Sequence, residues 1–123
     1  MIEAERGQVI APMAVVADPT ASGGRYVAQS TTSGRGSVRY GLSAPVTGTY
    51  RLSGRFIAAN ASSDSVTVSL DGSGARSWSV SNRPTAWTWE NGPVLQLTAG
   101  LHTLVIGYRE PNTRLDQLAI TPL

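Results

Sequence analysis

The sequence predicts an all-β protein, a sandwich or barrel of about ten short strands. Three observations carry that prediction. Short apolar runs recur along the chain, separated by clusters of Gly, Pro, Ser and Asn. Two segments alternate apolar and polar residues with period two, and none sustains the i, i+3, i+4, i+7 stripe of a helix. The chain has 123 residues and no Cys, a length that suits one domain over 1–123. Such a domain buries roughly two thirds of its unfolded surface and needs no disulfide staple.

Taken in order, the expected strands begin with residues 2–5, 13–17, 25–29 and 37–43. Residues 49–56 alternate most clearly: Tyr50, Leu52 and Phe56 share one face, and Arg51 and Arg55 share the other. Residues 64–70 repeat the pattern, with Val66, Val68 and Leu70 inward and hydroxyls outward. Asp71-Gly72 then supplies a tight-turn signal, so a hairpin with residues 76–81 follows. Residues 86–89, 94–98, 101–108 and 115–121 complete the set.

Composition removes several function classes. Without Cys there is no thiolate metal site or Cys nucleophile, and a single His excludes two-histidine metal motifs. The ten basic residues are all Arg and are scattered, and the net charge is only +2, so the basic footprint of a nucleic-acid binder is missing. No apolar run approaches the ~20 residues that span a bilayer. The charged fraction of 15% lies below the ~25% usual for globular domains, with Ser and Thr abundant instead. That surface suits a secreted or extracellular β protein. Met1-Ile2-Glu3-Ala4-Glu5 is too acidic to open a signal peptide, so secretion would require a longer precursor.

Few residues could carry bond-breaking chemistry. Alternation puts His102 on the same face as Leu104, Ile106 and Tyr108, the place of a structural histidine, and no nucleophile-elbow sequence accompanies it. Asp71, Glu90 and Glu110 could serve glycoside cleavage, but nothing in the sequence brings two of them together. Binding is better represented. Glu3 and Glu5, two apart on an expected strand, project to one side, and Asp116 lies on a strand near the opposite terminus. Terminal strands of antiparallel sandwiches often pair, and three carboxylates with backbone carbonyls would make an all-oxygen cage suited to Ca²⁺. Spacing alone is equally compatible with a solvated edge strand paired to Arg6 or Arg109. Trp78, Trp87 and Trp89 fall within twelve positions of one another, and residues 82–86 read as a loop that would leave the Trp87 ring exposed at a strand end. An exposed indole can stack on a pyranose face while Arg, Asn and Asp side chains bond its hydroxyls.

Several motifs extend these points: Ile2-Glu3-Ala4-Glu5, Ala21-Ser22-Gly23-Gly24-Arg25-Tyr26-Val27, Gly48-Thr49-Tyr50-Arg51-Leu52-Ser53-Gly54-Arg55, Trp87-Thr88-Trp89, and Arg109-Glu110 followed by Leu115-Asp116-Gln117-Leu118. In order and spacing they resemble the carbohydrate-binding modules of families 6 and 35 over nearly the whole chain, family 35 more closely in the ending. The resemblance implies a jelly-roll sandwich of two antiparallel sheets. It also implies a structural Ca²⁺ held by Glu3, Glu5, the Arg25 backbone carbonyl and Asp116. It makes Trp87 the sugar platform and Trp89 its buried partner, with Arg114, Asn112, Arg35 and Asp64 as polar contacts. Two departures stand out. Residues 28–32 lack a second aromatic, and Arg114 stands where family 6 has Asn, which suits an acidic sugar. The implied function is a non-catalytic, lectin-like polysaccharide-binding module: a monomer tethered to a glycoside hydrolase or polysaccharide lyase, binding neither nucleic acid nor membrane. The competing class is a structural or protein-binding sandwich of a cell-surface or multidomain protein.

Overall fold

In a computed structural model describing residues 1–123, the alternating segments become strands of two facing antiparallel sheets. One sheet runs β3 (Ala14–Ala17), β4 (Arg25–Ala28), β11 (Arg114–Pro122), β6 (Gly48–Ala58), β9 (Arg83–Leu97), with β1 (Ile2–Glu3) also paired to β11. The other runs β2 (Gln8–Ile10), β5 (Ser37–Ala44), β10 (Gly100–Tyr108), β7 (Ser65–Leu70), β8 (Arg76–Ser79). This is the expected sandwich, and its only helical pieces are two 3₁₀ turns. No helix is long and apolar enough to cross a membrane.

The core lies between the sheets, and the alternation explains it. Tyr50, Leu52 and Phe56 from β6 meet Val66 and Val68 from β7 and Leu104 and Ile106 from β10, all buried. Leu52 is wholly enclosed, so Leu52→Ala would cost about 2–5 kcal/mol in transfer and cavity terms. The predicted hairpin of β7 and β8 is present, with Asp71 and Gly72 both at positive φ in its turn.

Three expectations fail for local reasons. Residues 2–5 are not one strand: β1 ends at Glu3, and Ala4–Arg6 forms a 3₁₀ turn. The buried Tyr40 hydroxyl donates to the Ala4 carbonyl at 2.8 Å, which draws that peptide inward and ends the strand. The chain then enters β2, which has no clear alternation in sequence. Residues 83–86 are strand and not loop, because β9 already begins at Arg83, and it merges the expected strands 86–89 and 94–98 into one by continuing through Pro93, which an edge strand tolerates. Trp89 is not buried: it is 43% exposed, whereas Trp78 is 4% exposed and fills the core. Trp78 meets Phe56 edge-on at 4.9 Å. It occupies the room left at Gly54 and Gly92, where an added Cβ would come within 2.8 and 2.7 Å of its ring.

Candidate cation site and aromatic face

β1 pairs with β11 in the register Ile2↔Leu118 and Glu3↔Gln117, which carries the N-terminal carboxylates to Asp116. The β11 register shifts between Leu115 and Gln117, so Asp116 sits at an irregularity and is fully buried. Glu3, Glu5 and Asp116 each bring a carboxylate oxygen within 4.8 Å of the others. The 3₁₀ turn, rather than strand alternation, aims Glu5 at the cluster.

Within this cluster one oxygen of Glu3 and one of Asp116 is held, and the other is left over. Asp116 Oδ2 accepts from the Ser22 backbone N–H at 2.9 Å and from Arg55 Nη1. Glu3 Oε2 accepts from Ser22 Oγ at 3.0 Å and Gln117 Nε2 at 2.7 Å. Glu3 Oε1, Glu5 Oε1 and Asp116 Oδ1 are buried without any donor. Buried carboxylate oxygens without partners are unfavourable, and three converging ones could hold a metal ion. Gly23, at φ 64°, leaves the approach open, since a Cβ there would stand 3.1 Å from Glu5 Oε2 and 3.3 Å from Glu3 Oε1. Arg25 follows on the same rim, lining a polar cleft of about 510 Å³ with Glu5, Arg6 and Gly23. The donor set is all oxygen, and it fits a hard divalent ion such as Ca²⁺. Neither Arg6 nor Arg109 pairs with it: the ion-pair partner of Asp116 is Arg55, and Arg109 faces Ser65 and Glu110.

The outer face of the six-stranded sheet adjoins this site. Val27 faces the core opposite Leu115, so Tyr26 and Ala28 point outward and form a second small cluster with Ala21, against which Trp87 packs. Trp87 and Tyr26 lie 5.7 Å apart at 58°, and Trp87 Nε1 donates to Thr20 Oγ1 at 3.1 Å. The Arg55 guanidinium stands over the Trp87 ring at 5.5 Å, and that of Arg114 over Tyr26 at 5.4 Å. Trp87 is therefore a half-buried strand residue, flanked by Tyr26 and Arg55, and not a bare ring on a loop. Trp89 lies opposite Arg55 on the same face. The sequence alone gives Tyr26 and Arg55 no role on this face; the alternation that puts Arg51 and Arg55 opposite Tyr50 and Leu52 is the available signal.

The remaining polar residues group elsewhere. Asn112, at φ 62°, sits in the β10–β11 loop, its N–H donating to the Gln29 carbonyl at 2.8 Å. Arg35 is exposed in the β4–β5 loop. Asp64 precedes β7, where Asn82, in the amide orientation that satisfies its neighbours, donates to Asp64 Oδ2 at 3.1 Å. Glu110 accepts from Ser65 Oγ at 2.6 Å, and that bond holds its carboxyl below the usual range. Burial, with Glu110 beside it, pushes the Asp64 carboxyl up. The carboxylates considered for glycoside cleavage are dispersed: Asp71 pairs with His102, Glu90 accepts from the Ser81 N–H, and Glu110 stands at the other end of β7 from Asp71. His102 is buried on the core side, as expected of a structural histidine.

No family model and no curated protein matches the chain. Solved structures do. A family 35 carbohydrate-binding module from Clostridium thermocellum superposes with a TM-score of 0.78 at 22% identity, over 97% of this chain and 96% of that one. The CBM35 of Paenibacillus barcinonensis gives 0.80 at 16% identity, over 98% and 97%. The chain has the fold of a family 35 module. It also matches the Podospora anserina GH26-CBM35 β-(1,4)-mannanase, TM-score 0.81 at 21% identity, covering 98% of this chain but only 27% of that enzyme.

Proposed function

We propose that this protein is a non-catalytic carbohydrate-binding module, stabilised by calcium and secreted as part of a larger polysaccharide-degrading enzyme. The observation that carries this reading is end-to-end similarity to isolated family 35 modules, joined to a fraction of the mannanase chain. Calcium would be held by Glu3, Glu5 and Asp116, with the Arg25 carbonyl completing the set. Bound there, it supplies the positive charge that the three unpartnered oxygens lack. It thereby ties the N-terminal segment and the 18–24 loop to β11.

The glycan surface is the Trp87–Tyr26 face. The indole supplies apolar contact for a pyranose ring, and Arg114 and Arg55 offer planar forks that pair with carboxylate, which favours an acidic sugar. Asn112, Arg35 and Asp64 would act from the loops. Adhesion of this kind raises the local concentration of substrate for a tethered catalytic domain. A glycan array probed with wild type and Trp87→Ala is the test. Acidic glycans should be retained by the wild type and lost by the variant; retention unchanged by the substitution would overturn the assignment of the face.

A further inference from the structure

The cation site and the aromatic face are joined by two routes. One is a single side chain: Arg55 donates to Asp116 Oδ2 while its guanidinium covers the Trp87 ring. The other is the 18–24 loop, in which Ser22 holds Asp116 and Glu3 and Thr20 accepts the Trp87 N–H. The two routes differ in kind, because only Arg55 carries charge from one site to the other. Asp116 is fully enclosed, whereas the Arg55 side chain remains 25% exposed on the outer face.

We infer that Arg55 is a positioning residue that couples cation binding at Glu3, Glu5 and Asp116 to the charge presented beside Trp87. The inference rests on the calcium and glycan readings above. Three carboxylates converge near one guanidinium, and Arg55 is ion-paired with Asp116. A divalent ion takes up that negative charge through the free oxygens, so the attraction between Asp116 and Arg55 weakens. Arg55 then offers its charge to an anionic ligand at Trp87. Linkage is reciprocal, so calcium should tighten an acidic sugar by the same factor as the sugar tightens calcium, on the order of tenfold. A neutral sugar has no charge for Arg55 to meet and should show no such factor.

Intrinsic fluorescence, read against calorimetry, tests the coupling without any glycan. Titrating calcium chloride into wild type should give a saturable change in indole emission that Trp87→Phe lacks. Arg55→Gln should still release heat with calcium but lose the emission change, and Arg55→Lys, which keeps the charge, should restore part of it. An unchanged emission response in Arg55→Gln, or calcium heat without any Trp87 response, overturns the coupling. Absence of calcium heat in wild type overturns the cation reading and the coupling together. In a second arm, calcium should strengthen binding of a glucuronate-bearing xylo-oligosaccharide about tenfold and leave unsubstituted xylohexaose unaffected. Equal factors for both probes overturn the charge mechanism. Binding of neither overturns the glycan reading, while the fluorescence result still decides the link between cation and Trp87.

Discussion

Two groups of carboxylates in this molecule are completed in opposite ways. Around Glu110, the protein supplies its own donors: Ser65 Oγ at 2.6 Å, the Asp64 N–H at 3.4 Å and Arg109 nearby. Around Glu3, Glu5 and Asp116 it supplies donors to one side only and leaves three buried oxygens bare. Both groups tie distant segments, β7 to the β10–β11 loop in the first case and β1 to β11 in the second. The difference teaches where folding is complete without help. A satisfied carboxylate is a structural tie, whereas converging unsatisfied ones mark a place that could hold a metal ion.

The largest expected effect breaks the second group. Glu5 makes no hydrogen bond within the chain, so its role beyond charge is small and Glu5→Gln isolates it. With calcium at a hundredfold over Kd, linkage stabilises the wild type by about 2.7 kcal/mol, which corresponds to roughly 10 °C in Tm. EDTA should remove that increment from the wild type and do nothing to Glu5→Gln. In EDTA the variant should equal or exceed the wild type, because one of three repelling charges has gone. A variant less stable than wild type in both conditions would mean that Glu5 serves the fold without an ion. The intermediate effect probes the first group. Glu110→Ala strips an acceptor from the wholly buried Ser65 and should cost about 1.5 kcal/mol. Denaturant melts should return the same loss with calcium and with EDTA; a loss that depends on calcium would erase the contrast between the groups.

This contrast was partly legible in the sequence. The Glu3, Glu5 and Asp116 set follows from carboxylate spacing and terminal-strand pairing, although the geometry behind it was different: a 3₁₀ turn, not a strand, aims Glu5. Tyr40 ends that strand from 36 residues away, and no local pattern announces such a contact. The sandwich was legible because alternation is local, as in β6 and β10. The tryptophans were not, because which indole enters the core depends on glycines across the interface, at Gly54 and Gly92. Arg55 was visibly on the outer face, but its meeting with both Asp116 and Trp87 depends on the β6 register with β11 and β9.

The smallest effect extends the comparison to a carboxylate completed by a group that titrates. His102 Nδ1 lies 2.6 Å from Asp71 Oδ2 and Nε2 lies 2.7 Å from the Thr98 carbonyl, so both ring nitrogens face acceptors. In its protonated form the ring donates to both and clasps the β7–β8 turn to the β9–β10 turn. Asp71 and the Thr98 carbonyl hold the His102 pKa above 6.5, and His102 and the Thr103 N–H hold Asp71 below 3.8. A raised histidine contributes stability that is fully present below its unfolded value and lost as pH rises through the folded one. A depressed carboxylate contributes above its unfolded value and loses it as pH falls through the folded one. The clasp is therefore complete between about pH 4 and 6.5 and weakens on the alkaline side. At saturating calcium, wild-type Tm should decline above pH 6.5 more steeply than that of His102→Gln, which cannot titrate. Parallel slopes for the two proteins would show that the clasp holds without its charge, and that the imidazolium counts for no more than a neutral donor.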